Sequence, residues 1–301
     1  MRGWLAADIG GTKLAVAAFD GERLYSRQEM PTAPHRGADA VLADLVHMLK
    51  KSAAEAGITD LKGIGVACPG PLSARQGVVI KAPMLGWENM PIVKQLEEQL
   101  HCPVCLENDA NAAAYGEYRI GAGKDTESMA YVTVSTGVGC GIVANGKILS
   151  GFHEGAGEIG HLCLMPDGLP CACGRRGCLE LYASGTAIGR FVSQKKGMKI
   201  TAREAATLAK LGDEDSIQAF LQAGEKLGIG LGYVLQLIDP ECVVIGGSVR
   251  RSLDLMKQAI VEAVQRGSYW GGNPDKWLRV ATLGDDSGLW GAALLAKDHN
   301  P

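Results

Sequence analysis

His161 and the run Cys171-Ala172-Cys173-Gly174-Arg175-Arg176-Gly177-Cys178 place one imidazole and three thiols within eighteen residues. Neutral imidazole and thiolate are zinc ligands, and four of them close a tetrahedral shell with no open position for an activated water. The segment therefore predicts a structural zinc held by His161, Cys171, Cys173 and Cys178 rather than a catalytic one. Gly174 and Gly177 let the backbone fold tightly around the metal. Two carboxylates ride on the same loop: Glu158 in Gly157-Glu158-Ile159-Gly160-His161, and Glu180 just beyond Cys178. A metal-braced loop with two acids predicts part of a binding site.

Catalysis points to Glu107-Asn108-Asp109-Ala110-Asn111. Polar residues at a strand-to-helix junction can point into a cleft while the flanking elements hold them still. An unperturbed aspartate has a pKa of about 3.9, so Asp109 is expected to be ionised at neutral pH and able to accept a hydroxyl proton. The competing reading is a helix N-cap, ordinary chemistry for Asp or Asn ahead of an alanine-rich helix. Different members of the triplet can fill both roles.

Three glycine turns could hold phosphate. In Asp8-Ile9-Gly10-Gly11-Thr12-Lys13 the glycines expose backbone N–H groups that, with the Thr12 hydroxyl and Lys13, suit phosphate oxygens. Asp8, at a strand end, could position a hydrated Mg²⁺; a plain hairpin is the alternative. Ser135-Thr136-Gly137-Val138-Gly139 offers a second such turn, and Gly246-Gly247 a third place of close backbone approach. None has Walker A spacing, and none is expected to lead into a helix in the Rossmann manner.

The elements that must position these residues follow from hydrophobic period. Strands are expected at 4–9, 14–19 and 24–30, then a helix at 38–56 with Val41, Leu42, Leu45, Val46 and Leu49 on one face and Gly57 as its cap. A buried strand at 61–67 runs into Cys68-Pro69-Gly70-Pro71. A helix at 91–100, a strand at 104–106 and a helix at 110–119 come next. A second strand cluster, at 128–134, 142–144 and 147–149, repeats the opening plan of strand, glycine turn, strand, hairpin, strand. The stretch 184–234 reads as mostly helical, followed by a strand at 242–245, a helix at 253–265, a strand at 278–283 and a short helix at 291–297. Two halves of one plan predict a duplicated α/β unit with a cleft between the copies.

Composition narrows the function. A chain of 301 residues with 47% hydrophobic and 21% charged residues fits a water-soluble globular protein of two lobes. A net charge of −3 gives no reason to expect nucleic acid or an acidic membrane as partner. No run reaches the roughly 18 apolar residues of a membrane span, and the N-terminal apolar run is too short for a signal peptide. The expected compartment is the cytoplasm. Of nine cysteines, Cys68, Cys140, Cys163 and Cys242 read as reduced core thiols. Cys102-Pro103-Val104-Cys105 has redox spacing but leads into a strand, which argues against redox chemistry.

The turn at Asp8 to Lys13, the segment Glu107 to Asn111, Gly157 to His161 and the cysteine motif through Glu180 together resemble the ROK family of bacterial sugar kinases and repressors. The likeness runs on to Gly284-Asp285-Asp286-Ser287-Gly288-Leu289-Trp290-Gly291-Ala292-Ala293, essentially the whole chain. It implies an α/β, actin/hexokinase-like fold: a duplicated ribonuclease H-like unit in two lobes that close on Mg-ATP and a hexose, with a structural zinc loop. The small lobe would be 1–120 completed by a C-terminal helix at 288–301. The large lobe, 121–287, would carry the zinc loop and the nucleotide elements. By the same resemblance Asp109 matches the catalytic base, and Asn108, Glu158, His161 and Glu180 match sugar-hydroxyl contacts. His161 would present one ring nitrogen to zinc and the other to the sugar. Asp8, Gly10, Gly11, Thr12, Lys13, Thr136 and Gly137 match the phosphate elements, and Gly246 and Gly247 the adenosine element.

The chain departs from the family pattern where Ser135 and Cys140 replace glycine, and where Met84 replaces the asparagine of many glucokinase-like members. The expected activity is phosphorylation of the 6-hydroxyl of glucose by ATP, with N-acetylmannosamine and then N-acetylglucosamine as alternative sugars. A homodimer or dimer of dimers is implied. The rival class is a sugar-sensing transcriptional regulator, which needs a DNA-reading helix-turn-helix; with Asp8 so near the start, none is expected ahead of it. A catalytically silent sugar-binding protein is a further alternative, against which Asp109 and both phosphate turns argue.

Overall fold

The computed structural model describes residues 1–269 and 272–300. The chain divides into two compact units. One comprises Met1–Lys124, Ile148–Ala156 and Asp285–Pro301; the other comprises Asp125–Lys147 and Gly157–Gly284.

The first unit opens with β1 (Arg2–Ile9), β2 (Lys13–Phe19) and β3 (Leu24–Pro31). Alternate residues of β1 serve two cores, because successive side chains leave opposite faces of a strand. Leu5, Ala7 and Ile9 pack with the apolar face of α1 (Ala38–Glu55), while Trp4 and Ala6 belong to a second cluster on the other face. The buried positions of α1 include all five expected residues, and Gly57 follows it at φ +67, in the left-handed region that ends helices. Next come β4 (Asp60–Cys68), the short strands β5 (Leu72–Ser73), β6 (Val78–Ala82) and β7 (Trp87–Met90), then α2 (Ile92–Leu100), β8 (Val104–Asn108) and α3 (Asp109–Ile120). The main sheet has the order β3-β2-β1-β4-β8, with β1, β4 and β8 parallel. Strands β5, β6 and β7 form a separate antiparallel sheet that no sequence pattern marks, since each has only two to five residues.

The second unit begins with β9 (Ser128–Val134), β10 (Val138–Ala144) and β11 (Lys147–Ile148). The expected long glycine turn is shorter than its composition suggests: Val138 already pairs with Val134, leaving only Ser135–Gly137 to turn. Helices α4 (Glu180–Ala183), α5 (Gly185–Lys196), α6 (Ala202–Lys210) and α7 (Glu214–Ile238) lead to β12 (Cys242–Gly246). The helix expected at 253–265 is split, into a 3-10 helix at Ser248–Leu255 and α8 (Lys257–Gly267). Gly246-Gly247 therefore does lead into a helical segment, against expectation. After α9 (Pro274–Trp277), β13 (Leu278–Val280) ends three residues earlier than its apolar run suggests. The sheet order is β11-β10-β9-β12-β13, with β10 antiparallel to β9 and with β9, β12 and β13 parallel, as in the first unit. The repeated plan is thus a repeat of topology, an α/β unit present twice.

The last helix, α10 (Ser287–His299), is longer than the expected 291–297 and belongs to the first unit. Its Leu289, Ala292, Ala293 and Ala296 pack with Trp4, Phe19, Ala67 and Ala112. Small residues set the spacing: a Cβ on Gly291 would lie 1.7 Å from the Ala112 carbonyl oxygen of α3.

Candidate functional site

In the first unit, register alone gathers the chemistry. Asp8 pairs with Ala67 across β1 and β4, and Cys68 pairs with Asn108 across β4 and β8. Three parallel strands therefore deliver Asp8, Cys68 and Asn108-Asp109 to one sheet edge, the carboxyl end where open α/β sheets bind ligands. Asn108 is the N-cap of α3: its Oδ1 accepts from the backbone N–H of Ala110 at 2.9 Å and of Asn111 at 3.3 Å. That leaves its amide N–H groups for another partner. Asp109 is the first helical residue, with Oδ1 accepting from the Ala110 N–H at 2.8 Å. The cap and the candidate base are thus separate residues. Glu107 does not join them, because its Oε1 accepts from the Asn108 N–H and from Asn111 Nδ2, both at 2.9 Å, and its burial raises its pKa.

Asp8 is electrostatically strained. Burial first, and then the Asp109 charge, push its carboxyl up to about 7, while Lys13 opposes them. A cation beside it would relieve that strain. The N-terminus of α10 also meets it: a Cβ on Gly288 would lie 2.9 Å from Asp8 Oδ2. The Gly10–Lys13 turn is closed by the Gly10 N–H to the Lys13 carbonyl at 2.8 Å. Thr12 lies exposed on this turn, and the Lys13 ammonium sits 3.2 Å from Glu29. Met84, 57% exposed, rests on the turn where a Cβ of Gly11 would be, 2.6 Å from its own Cβ.

The second unit holds the cysteine motif. His161 ends a 3-10 helix, Ile159–His161, which follows Glu158. Its Nδ1 lies 3.6 Å from Cys171 Sγ, and Cys173 Sγ lies 3.6 Å from Cys178 Sγ. All four ligand atoms fall within 4.8 Å of one another. Tetrahedral zinc with bonds of 2.0–2.3 Å has edges of about 3.4–3.8 Å, so the donors and their spacing fit the metal. The loop turns through Gly177 at φ +71, where a Cβ would strike the Met165 carbonyl oxygen at 1.6 Å. Glu180 Oε1 lies 3.4 Å from Cys171 Sγ and 3.6 Å from His161 Nδ1. Its other oxygen lies 2.9 Å from where a Cβ of Gly137 would be, so the cysteine loop and the Ser135–Gly137 turn share a neighbour. Glu158 contributes to the raised pKa of buried Cys140 at about 12, after burial itself.

Beside that turn opens a cavity of about 700 Å³, a volume suited to a small organic ligand. Ser135 and Thr136 line it together with Gly185 and Thr186 at the start of α5, and Ser248 and Val249 after β12. The Gly185 N–H donates to the Ser135 carbonyl and the Thr186 hydroxyl to the Thr136 carbonyl, each at 2.7 Å. These bonds fix the turn against a helix N-terminus, whose partial positive charge favours anions. Lys199, Arg203 and Arg251 add positive charge, and no acid lines the cavity among the described residues. Sequence reasoning missed Thr186, Ser248 and these cations; only Ser184-Gly185-Thr186, a cap ahead of a helix, carried a local signal. Gly246 and Gly247 do not line the cavity. Gly246 has a packing reason of its own, since a Cβ there would lie 2.0 Å from the Tyr131 hydroxyl oxygen.

The remaining cysteines need one correction. Cys68, Cys140 and Cys242 are buried, but Cys163 is exposed rather than a core thiol. Burial raises Cys102 to about 11 and Cys105 to about 12, the opposite of a redox-active thiolate.

The ROK family match covers residues 4–299. A glucokinase of Halalkalibacterium halodurans is 34% identical over 318 residues, covering 99% of this chain and 96% of its own. An N-acetylmannosamine kinase of Escherichia coli O139:H28 is 36% identical over 297 residues, covering 97% and 98%. The crystal structure of a ROK family glucokinase from Streptomyces griseus, in complex with glucose and AMPPNP, superposes with a TM-score of 0.86 at 32% identity, covering 98% of this chain and 99% of that one. With a family match over almost every residue, relatives above 30% identity along their whole length and the same two-unit α/β fold, this chain belongs to the ROK family.

Proposed function

We propose that this chain is an ATP-dependent hexose kinase that phosphorylates the 6-hydroxyl of glucose. The observation that carries the reading is Asp109, fixed at the first turn of α3 by its neighbour's cap and set beside Asp8 at the end of three parallel strands. Asp109 takes the proton of the sugar hydroxyl as that oxygen attacks the γ-phosphorus of ATP. The new O–P bond forms as the bond to the β-phosphate oxygen breaks, and ADP leaves. Most of the acceleration comes from positioning and charge neutralisation.

In this reading the sugar is held by Asn108, through the amide its cap leaves free, and by Glu158, His161 and Glu180. With His161 Nδ1 turned to the cysteines, Nε2 serves the sugar, and the metal fixes the tautomer. Zinc supplies rigidity here, about one ion per chain. The nucleotide occupies the cavity lined by Thr136, Thr186 and Ser248, with the adjoining Ser135–Gly137 turn meeting its phosphates. Asp8 holds hydrated Mg²⁺, which neutralises phosphate charge when bound. The enzyme works in the cytoplasm as a homodimer or dimer of dimers; among the described residues no helix is long and apolar enough to cross a membrane.

The N-acetylmannosamine kinase at 36% identity favours a second reading in which the pocket takes an acetamido group at C2. A coupled ADP-release assay over glucose, N-acetylmannosamine, N-acetylglucosamine, fructose and allose separates them. Glucose is expected to give the highest kcat/KM. A higher value for N-acetylmannosamine would replace the sugar, and no ADP release with any of them would remove the kinase reading.

A further inference from the structure

Cys163 is an exposed thiol on the cysteine loop that the metal site does not use. It forms an isolated antiparallel bridge with Cys178, one of the four clustered ligands. The hydrogen bonds around that bridge define its type. The Leu164 N–H donates to the Gly177 carbonyl and the Leu179 N–H to the Leu162 carbonyl, both at 2.9 Å. The bonds thus flank Cys163 and Cys178, which exchange none with each other. Such a non-hydrogen-bonded pair has its Cα atoms about 4.5 Å apart and its side chains on one face of the ribbon. A disulfide needs Cα atoms about 4.4–6.8 Å apart, so this pair can be bridged with little backbone movement. Cys178 is also buried, which leaves Cys163 as the member that solvent oxidants reach.

We propose that Cys163 is an oxidative modification site whose partner is Cys178, and that closing this disulfide removes a ligand from the metal. The oxidant class is a peroxide. The Cys163 thiolate attacks hydrogen peroxide, the O–O bond breaks, hydroxide leaves and a sulfenic acid forms. The Cys178 sulfur leaves the metal and attacks the sulfenic sulfur, the S–O bond breaks and a second hydroxide departs. With two protons taken up, two thiolates lose two electrons and one peroxide becomes two waters. The loop then keeps three ligands, and Glu180, two residues past Cys178, loses its rigid anchor. Sugar binding weakens until a thiol reductant and zinc restore the shell. The metal consequence rests on the zinc reading above, whereas the disulfide itself does not.

The test uses the full-length zinc-loaded protein, hydrogen peroxide, a chromophoric chelator to follow zinc release, and non-reducing peptide mapping by mass spectrometry. The expected result is a Cys163–Cys178 linked peptide appearing in step with release of zinc, reversed by dithiothreitol plus zinc. Cys163→Ser should keep its activity when reduced and lose zinc about tenfold more slowly at the same peroxide dose, because the attacking thiol is gone. Equal release rates in Cys163→Ser, or linkage confined to Cys171, Cys173 and Cys178, would overturn the proposal. A reduced protein free of zinc that still forms the Cys163–Cys178 link would overturn the zinc reading and uphold the thiol pair.

Discussion

Asp8 carries the most perturbed carboxyl of the phosphate turn, and its pH behaviour follows from the direction of the shift. With a folded pKa of about 7 against an ordinary 3.8, the folded chain holds this proton more tightly than the unfolded chain. Its contribution to stability is full below pH 3.8 and is lost as pH rises to about 7. The gap corresponds to at most on the order of 4 kcal/mol, an upper bound because Asp8 keeps some of its surface in water. Asp8→Asn should therefore flatten the fall in Tm of the nucleotide-free protein across that window and raise Tm at about pH 8. It should also cut kcat by on the order of 10²-fold, as expected when a group that organises transition-state charge is removed. An unchanged Tm profile would show that the carboxylate is not strained. At this scale the sequence is legible in kind rather than in role. The Glu107-Asn108-Asp109 triplet reads equally as cap or as base, and only the side-chain bonds assign the cap to Asn108 and the brace to Glu107, which leaves Asp109 as the candidate base.

Among elements, the cysteine loop was the most legible, because its candidate ligands lie close along the chain and their spacing carries the geometry. Metal binding at such a site can supply on the order of 10 kcal/mol toward ordering a segment. Removal of zinc by a chelator should lower Tm and raise the KM for sugar well before it abolishes nucleotide binding; a metal-free protein with wild-type Tm and KM would contradict this. The cavity proposed for the nucleotide was not legible, since Thr136, Thr186, Lys199 and Ser248 meet only through tertiary packing of four separate segments. Gly246 shows that a motif glycine can also have a packing reason, here the close approach of Tyr131. The family resemblance implied that the C-terminal helix joins the small lobe, but no residue pattern marked its contact with α3, which depends on Gly291. Gly291→Ala drives a methyl group into the Ala112 carbonyl, a backbone atom that cannot swing away. It should destabilise the protein by about 1–3 kcal/mol, read from denaturant melts.

At the scale of the whole molecule, the two five-stranded sheets share one strand order, each with three parallel strands beside an antiparallel one. That repeat was readable as a plan of strand, glycine turn, strand because turn chemistry and hydrophobic runs are local signals. The small β5-β6-β7 sheet was not, because strands this short bury too few residues to leave an alternation. What the duplicated plan provides is a pair of strand-end turns, one beside Asp8 and Asp109 and one beside Thr136 and Glu180, each fixed by its own sheet and helices. The kinase reading asks that a single carboxylate among these groups accept the sugar proton. Steady-state ADP release by Asp109→Asn, with glucose affinity measured alongside by calorimetry, tests it most directly. The account predicts a loss of kcat of at least on the order of 10²–10⁴-fold with glucose still bound at near wild-type affinity. A variant that turns over within about tenfold of wild type would contradict it.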